Sequence, residues 1–515
     1  MSPQIEVLLM LTHAETRLCT IPAGLVPNSL VVSPDGRQVA FVVRQDPEPP
    51  VVMPWDMGDN LFEKLSNMLH GGESVCLNGE AGPRFDHIDP ATLRFDPDGE
   101  RLVYMASKEQ TAWVVGDGHE RLTFDEVGEP GPLLAAESGW VVYRARRGDQ
   151  WFVVANGQES AGFDEVVPES VTLSPGGRRV AYAARRRESW FVVCDGDEGP
   201  NFQYVTALSF SPDSQYLAYA AADARGQCVV LDGLPQGFSD AIGPPLFSPD
   251  SQLLAFAALR NGQWCILVNG KEGPPFDGIE RDNTVFSPDS RHLAYAAVRG
   301  RKRLVVVDGQ EEENAYDAIV GRILFSPNNR RMAYGAFIGQ VSAGAYGKGE
   351  WLAVIDGQES RRYQGLGDHT LCFSPDSHRL AYEAQREDKR VVVVNGIESD
   401  RYELTLSGTP LFSPDSQHVA FGASRGGKWF FVVDGKEHLA CDGIVGKLFQ
   451  FTADSQHFVY VAGRDGKQFV VIDGEQGPLY DGFLLGTALQ FEGPRQFRTM
   501  GVRDGEIFEV SINIA

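Results

Sequence analysis

The sequence predicts an all-β fold, a β-propeller built from about twelve four-stranded blades. Three observations support this prediction. A repeat of about 40 residues runs through the 515-residue chain, each copy contains four short apolar runs, and two turn motifs recur in phase with the repeat. Four strands in a repeat of this length are typical of one propeller blade.

The first turn motif is SPDS or a close variant, as at Ser248, Ser287, Ser374 and Ser413. Proline favours the second position of a turn, and Asp and Ser side chains bond to nearby backbone amides. The second motif is Asp-Gly or Asn-Gly, the pair that a type I′ hairpin turn requires because both central residues need positive φ. Its glycine stands at positions 79, 118, 157, 196, 233, 270, 309, 357, 396, 435 and 474.

Residues 409–445 contain the four apolar runs of one copy: TPLF, HVAFGAS, KWFFVV and HLACDGI. The runs alternate apolar and polar residues and are rich in β-branched and aromatic side chains, which predicts strands. At the chain ends, residues 5–12 and 16–21 are predicted as the third and fourth strands of a blade. Residues 488–514 are predicted as a first, second and third strand.

Propellers usually hold about four to eight blades, so twelve blades favour two rings of six. The predicted domains are residues 1–270 and 271–515. A single ring of twelve, in which the two termini complete one blade, is the alternative. Such a ring would leave a wide channel lined by unpaired strand edges, which proteins tend to avoid.

FSPDSQHVAFGA, from residue 412, and its relatives resemble the TolB-type propeller repeat, also called the WD40-like β-propeller repeat. The resemblance covers nearly the whole chain, and it implies a fold rather than a reaction. Repeats of this family occur in periplasmic interaction proteins and in gating domains of serine peptidases. The chain has no room for a hydrolase domain, so we expect no peptidase activity.

The charge balance limits the partner classes. With 46 basic and 70 acidic residues, the net charge of −24 argues against binding to nucleic acid or to anionic membranes. The sequence shows no membrane span and no signal-peptide pattern. Seven widely spaced cysteines without a CxxC motif are predicted to be buried thiols. Together these features predict a monomeric cytoplasmic protein.

Two insertions interrupt the repeat, both between the second and third strands of a blade. The first, at 45–73, holds a Pro-rich arm with Trp55 and a predicted short helix capped by Asn60, Glu63 and Gly71. The apolar face of that helix is predicted to bind a partner, or else to cover a channel mouth. Its residues are Leu61, Phe62, Leu65, Met68 and Leu69.

The second insertion, at 337–351, is rich in Gly and Ala and is expected to be a mobile loop. It contains two further candidate partner-binding residues, Tyr346 and Trp351. Long loops on a rigid scaffold often carry binding sites.

The same face carries charged residues in a regular pattern. Basic residues follow the second strand, as at Arg299 and Arg425, and an acidic column of aspartates precedes each new blade. We interpret the column as a lattice of Arg–Asp contacts between neighbouring blades, each worth about 0–1 kcal/mol, rather than as a ligand face. The aspartates are Asp86, Asp125, Asp164, Asp240, Asp277, Asp317, Asp442 and Asp481.

The histidines do not have the spacing of a metal site. His292, His418 and His457 occupy matching positions after SPDS turns and are expected to be solvated. Phosphate-binding and nucleotide-binding glycine motifs are also absent. We therefore expect a non-enzymatic scaffold without cofactor or metal, which binds a protein partner through the face that carries the insertions. The alternatives are a propeller lyase or hydrolase with a channel-mouth site, and a sugar or small-ligand binder with equivalent pockets between blades.

Overall fold

The computed structural model describes residues 11–45, 72–116, 122–342, 345–484 and 489–514. The strands of these residues form twelve sheets. Most of the sheets have four antiparallel strands, and in several of them the first strand is split into two short pieces. The predicted β-propeller of twelve blades is therefore confirmed. We number the blades in chain order, so that blade 12 contains the C-terminal strands.

The chain divides into two compact units. Unit 1 contains the chain up to residue 210, residues 481–492 and the chain from 496, and unit 2 contains residues 211–480 and 493–495. The predicted domain boundary near residue 270 remains a prediction, as does the arrangement in two rings of six. Within the described residues there is no helix long and apolar enough to cross a membrane.

Unit 1 holds blades 1 to 4 and blade 12, a short 3-10 helix at Pro168–Ser170, and the strand Tyr204–Phe210. The strands of its blades are, in blade 1, Val31–Val32, Val39–Gln45, Gly72–Leu77 and Glu80–Phe85; in blade 2, His87–Phe95, Leu102–Lys108 and Thr111–Val115; in blade 3, Glu126–Val127, Leu133–Leu134, Val141–Arg147, Gln150–Ala155 and Gln158–Glu159; in blade 4, Glu165–Val166, Thr172–Leu173, Val180–Arg186, Ser189–Cys194 and Asp197–Glu198; and in blade 12, Gly482–Phe483, Gln490–Phe491, Gln496–Arg503, Glu506–Ile514 and Leu11–Thr20.

Unit 2 holds the strands of blades 5 to 11. They are, in blade 5, Leu217–Asp223, Gly226–Leu231 and Leu234–Ser239; in blade 6, Ala241–Ile242, Leu246–Phe247, Leu254–Arg260, Gln263–Val268 and Lys271–Glu272; in blade 7, Gly278–Phe286, Leu293–Arg299, Lys302–Val307 and Gln310–Tyr316; in blade 8, Ala318–Phe325, Met332–Ser342, Ala345–Ile355 and Gln358–Glu359; in blade 9, Gly365–Leu366, Cys372–Phe373, Leu380–Arg386, Lys389–Val394 and Ile397–Glu398; in blade 10, Leu404–Thr405, Leu411–Phe412, Val419–Arg425, Lys428–Val433 and Lys436–Glu437; and in blade 11, Gly443–Phe451, Phe458–Arg464, Lys467–Ile472 and Glu475–Gln476.

The chain ends meet in blade 12. Leu11–Thr20 pairs antiparallel with Glu506–Ile514, from Leu11 opposite Ile514 to Thr20 opposite Glu506. The expectation of two strands at 5–12 and 16–21 was wrong, because residues 11–20 form one continuous outer strand; residues 5–10 lie outside the described residues. The pairing is consistent with the alternative of a single ring closed by the two termini.

The first strand is interrupted in most blades. In blade 6 it consists of two short pieces that pair with the end and with the start of the second strand. The longer first strands of blades 7 and 11 contain a register shift at the same place, between Ile279 and Thr284 and between Ile444 and Phe449. Short, bulged strands are one way to keep an exposed sheet edge from pairing with another chain.

The Asp-Gly turns have the predicted type I′ geometry. Asp434 has φ of 49° and Gly435 has φ of 82°, and the other described copies are alike. The Asp434 carboxylate also accepts a hydrogen bond from the Val419 amide, with an N–O distance of 3.0 Å. This contact ties the third hairpin of the blade to the start of its second strand.

The SPDS turns link neighbouring blades as well as closing a hairpin. Within one turn, the Ser248 hydroxyl donates to Asp250 at 2.6 Å. The Asp250 amide then donates to the Ser290 hydroxyl of the next turn at 2.9 Å, and the Asp376 amide donates to Ser416 in the same way. Where the motif ends in serine in blades 6, 7, 9, 10 and 11, that serine therefore joins its blade to the preceding one, a role that the sequence analysis did not predict.

The core lies between adjacent blades. In unit 2, for example, Phe431 of blade 10 packs against Phe458 and Tyr460 of blade 11, with ring centroids 4.8 Å apart in both pairs. Both faces of the second strand are buried in blade 10. The predicted strand composition, rich in aromatic and small apolar residues, follows from this packing on two sides.

Both insertions lie where they were predicted, between the second and third strands. Gln45 pairs with Gly72 at the base of the first insertion, whose residues 46–71 lie outside the described residues. The second insertion was expected to be a loop. Its described residues instead lengthen the hairpin of blade 8, whose two long strands have eleven residues each.

Candidate functional site

The hairpin of blade 8 extends beyond those of the other blades in unit 2. Its strands continue to pair past Phe337 opposite Trp351, through Gly339 opposite Gly349, to Val341 opposite Tyr346. Residues 345–350 are all exposed. We call residues 338–342 and 345–350 the blade 8 tip. The second and third strands of blade 7, by comparison, stop at Arg299 opposite Lys302.

Three aromatic side chains form a cluster at the base of this tip. Ring centroids lie 4.6 Å apart for Tyr346 and Trp351, 5.0 Å for Phe337 and Trp351, and 5.1 Å for Phe337 and Tyr346. Phe337 is fully buried, whereas Tyr346 is 45% exposed. Aromatic rings at such distances favour edge-to-face or offset-stacked contacts. The cluster therefore holds the exposed Tyr346 ring against the base of the hairpin.

Trp351 belongs to the repeat rather than to the insertion. It forms an isolated bridge with Tyr363, as Trp151 does with Phe163 and Trp429 with Cys441 in other blades. Trp351 therefore occupies a position that other blades also have, and it does not distinguish blade 8 from them. Tyr346 is the predicted site residue that is specific to the blade 8 tip.

Charged groups of neighbouring blades act on the pKa of Tyr346. Burial raises the pKa of Tyr346, and the carboxylates of Glu280 in blade 7 and Asp368 in blade 9 raise it further, while Arg303 opposes them. Arg303 pairs with Glu280 at 3.4 Å. Within the described residues Asp368 has no ion pair. The tip thus lies beside one free carboxylate and one that is already paired.

A cavity of about 390 Å³ lies between the first strands of blades 8 and 9, and its wall residue Val320 belongs to the same buried cluster as Phe337. Val320 and Leu324 form one wall, and Leu366 and Leu371 form the other, with Asp368 at the edge. Asp368 therefore joins the cavity to Tyr346. Sequence analysis missed Glu280 and Asp368. Both lie where a first strand is interrupted. The sequence of the repeat varies at this place, and that variation could have identified them.

The other predicted site residues fall outside the described residues. Trp55, Leu61, Phe62, Leu65, Met68 and Leu69 all lie within 46–71, so the predicted helix and its apolar face remain predictions.

The acidic column has a structural role that differs from the predicted one. Seven of its eight carboxylates accept a hydrogen bond from a backbone amide in the turn between the second and third strands of their own blade. The distance is 2.7 Å from Gly300 to Asp277 and 2.8 Å from Gly339 to Asp317. This contact occurs at Asp86, Asp125, Asp164, Asp277, Asp317, Asp442 and Asp481.

The arginines of this face pair mainly with glutamates of their own blade. Arg386 at the end of a second strand bonds Glu398 in the fourth strand at 2.6 Å, and Arg425 bonds Glu437 at 2.7 Å. The expected lattice between blades was wrong for the arginines in the described part of the chain, because the fourth strand places a glutamate close to most of them. Two lysines of the same loops do pair with column aspartates of the next blade, Lys302 with Asp317 at 2.8 Å and Lys428 with Asp442 at 2.6 Å. These surface pairs still contribute only about 0–1 kcal/mol each.

The three matching histidines were expected to be solvated, but each has a carboxylate partner. Nδ1 of His292 lies 2.7 Å from Asp308, and Nδ1 of His418 and of His457 lie 2.6 Å from Asp434 and Asp473. Each partner is the aspartate of an Asp-Gly turn, so these histidines stabilise turns. No group of three or more His, Cys, Asp or Glu side chains in the described part of the chain is placed to hold a metal ion.

The cysteines are all free, and five of the seven are buried. Burial raises the pKa of the Cys228 thiol to about 11, with a further contribution from Asp223. Cys194 and Cys372 are half-buried, and burial raises the pKa of the Cys372 thiol to about 12. The predicted role as small apolar side chains is thus confirmed for the buried five.

No protein-family model matches this sequence, and no curated protein matches it. Similar solved structures include a eukaryotic initiation factor, with 12% identity over 64% of this chain and 93% of that chain and a TM-score of 0.35. The Dos1 propeller has 10% identity over 60% of this chain and 91% of its own, with a TM-score of 0.28. TolB from Acinetobacter baumannii has 14% identity over 68% of this chain and 80% of its own, with a TM-score of 0.22. Similarities of this size support no inference about function, and the TolB-type assignment remains a resemblance.

Proposed function

We propose that this protein is a non-enzymatic propeller scaffold that binds a protein partner at the blade 8 tip. The observation that carries the proposal is the partly exposed Tyr346, held on Trp351 at the end of a hairpin that the other blades of unit 2 lack. Rigid aromatic side chains of this kind supply much of the binding energy at protein interfaces. The cytoplasmic location and monomeric state remain predictions from the sequence.

The chemistry around Tyr346 favours a partner that presents lysine or arginine. An aromatic face attracts a cation with about 0.5–2 kcal/mol, more when water is excluded. The free carboxylate of Asp368 lies on the same surface, next to the apolar cavity between blades 8 and 9. The chain's net charge of −24 would also speed association with a basic partner.

Affinity purification with three variants tests this proposal. Tyr346→Ala removes the aromatic face, and Asp368→Asn removes the free carboxylate. Tyr216→Ala is the matched control, because Tyr216 is 41% exposed but follows an SPDS turn at the opposite end of its blade. We expect the wild type and Tyr216→Ala to retain one partner that Tyr346→Ala loses.

The partner must then bind directly in purified form. We expect Tyr346→Ala to weaken that binding at least about tenfold, the loss typical of an interface hot spot, and Asp368→Asn to reduce its dependence on salt. Equal binding by the wild type and Tyr346→Ala would move the partner site elsewhere, and residues 45–73 would become the next segment to test.

A further inference from the structure

Neighbouring blades leave a cleft between them at the end that carries the SPDS and Asp-Gly turns. The cleft between blades 6 and 7 has a volume of about 410 Å³, and that between blades 3 and 4 has a volume of about 330 Å³. The two clefts use the same repeat positions. In the first these are Ile266, Val268, Gly273, Leu293 and Tyr295, and in the second Val153, Ala155, Ser160, Val180 and Tyr182.

One of these positions differs in a way that changes the chemistry. In the cleft between blades 3 and 4, burial raises the pKa of Tyr182, and the side chain of Ser160 opposes that rise. In the cleft between blades 6 and 7, Gly273 stands in place of the serine. The Tyr295 hydroxyl, in a residue that is 2% exposed, has no hydrogen-bond partner among the described residues. A Cβ atom on Gly273 would lie 3.8 Å from that hydroxyl oxygen.

Three other clefts supply a side chain at this position. Glu312 accepts a hydrogen bond from Tyr334 at 2.6 Å, and His438 stacks on Tyr460. In the third, burial raises the pKa of Tyr382 and the side chain of Ser360 opposes that rise. A buried hydroxyl without a partner is costly, and native structures contain few of them. The unpartnered Tyr295 hydroxyl in a roomy cleft therefore indicates a group that the protein itself does not provide.

The mouth of the same cleft carries free positive charge. Lys271 is exposed and has no partner among the described residues, and Arg291 is exposed with Asp289 no closer than 3.9 Å. The two carboxylates at the mouth are already engaged. Asp308 bonds His292, and Glu272 pairs with Arg260.

We propose that the cleft between blades 6 and 7 binds a small aromatic carboxylate that carries a second oxygen at the far end of its ring. The ring would lie against Ile266, Val268 and Leu293, its far oxygen would accept the hydrogen bond of Tyr295, and its carboxylate would face Lys271 and Arg291. The cleft is within the size range of small-molecule sites, about 300–1,000 Å³. This site is separate from the blade 8 tip and does not depend on the function proposed above.

Titration of the full-length protein with 4-hydroxyphenylacetate, followed by ligand-observed NMR, tests the proposal. We expect saturable binding by the wild type. Tyr295→Phe should weaken it about tenfold, the effect of one strong hydrogen bond, and should leave the binding of phenylacetate, which lacks the hydroxyl, unchanged. Gly273→Ser should weaken the binding of 4-hydroxyphenylacetate by a similar factor, because the new serine would bond Tyr295 and narrow the cleft.

Two controls keep the result specific to this cleft. Tyr182→Phe removes the matching hydroxyl between blades 3 and 4, and it should leave the binding of 4-hydroxyphenylacetate unchanged. Thermal unfolding should show that Gly273→Ser is folded, as serine at this position is compatible with other blades. Failure to saturate by about 10 mM, the weak limit of useful affinity, would mean that solvent alone fills the cleft and would overturn the proposal. An equal loss with Tyr182→Phe would also overturn it.

Discussion

The cleft between blades 6 and 7 and the cleft between blades 7 and 8 have the same backbone geometry. They differ in the side chain that fills them. In the second, Glu312 accepts a hydrogen bond from the Tyr334 hydroxyl. In the first, Gly273 has no side chain to offer, and the matching Tyr295 hydroxyl has no partner in the part of the chain that the structure describes. The second strands of blades 7 and 8 pair with their third strands in the same register, and the Asp-Gly turns of the two blades have the same backbone geometry. A repeat can therefore keep its fold constant while one side chain per blade decides whether a cleft is filled or open.

Removal of the filling side chain is expected to have the largest effect on stability. Glu312→Ala should lower the free energy of unfolding by about 2 kcal/mol, because hydrogen bonds to charged groups contribute about 1.5–3 kcal/mol. Glu312→Gln keeps an acceptor for Tyr334 and should lose about 1 kcal/mol or less. Urea unfolding of both variants measures the difference. Equal losses would mean that the contact with Tyr334 is not what stabilises this cleft.

The backbone geometry that the blades share depends on the type I′ turns. Gly435→Ala should destabilise the protein by about 1–2 kcal/mol, the cost of a left-handed backbone for a residue with a Cβ. The new Cβ meets no atom within 4 Å, so backbone strain is the only cost. Gly443→Ala is the matched control, since its Cβ also meets nothing and its φ is not in the left-handed region. The same melting temperature for both variants would contradict this account of the turn.

Filling the open cleft should be stabilising. Gly273→Ser is expected to raise the free energy of unfolding by about 0.5–1.5 kcal/mol, from a new hydrogen bond and the loss of glycine's freedom in the unfolded chain. The reverse change, Ser160→Gly, should destabilise the cleft between blades 3 and 4 by a similar amount. Thermal unfolding in the absence of added ligand compares the two. Changes of the same sign in both variants would show that the clefts are not equivalent.

The smallest expected effect is a pH dependence in the cleft filled by His438. Burial lowers the pKa of His438, while Asp473 opposes this shift and Lys436 adds to it. The imidazole is therefore neutral in the fold and binds a proton more readily once unfolded. Its contribution to stability is complete above the unfolded pKa of about 6.5 and falls as the pH drops below that value.

The comparison variant for this effect is His438→Gln. The melting temperature of the wild type should fall more steeply between pH 7.5 and pH 5.5 than that of the variant, a range chosen to span the unfolded pKa of about 6.5. Parallel curves would show that His438 does not titrate on unfolding.

The sequence predicted the features that depend on local chemistry. Asp-Gly pairs such as Asp434 and Gly435 require one turn type, so the hairpins and the blade count followed directly. Contacts between distant residues could not be predicted in the same way. Arginines such as Arg386 and Arg425, at the ends of second strands, have carboxylates of two kinds nearby in the repeat, and only the fold shows that the glutamate of the fourth strand is the partner. Likewise, the sequence shows Gly273 and Ser160 at one repeat position, but their role depends on a tyrosine that the next blade supplies.

The central claim is that the side chain at the position of Gly273 decides what the cleft contains. Crystal structures of the wild type and of Gly273→Ser test it most directly. The claim predicts that no protein group bonds the Tyr295 hydroxyl in the wild type, and that the Oγ of the introduced serine lies about 2.7–2.8 Å from that hydroxyl in the variant, a normal hydrogen-bond distance. A protein group bonded to Tyr295 in the wild type, or a serine side chain turned away from Tyr295 in the variant, would contradict the claim.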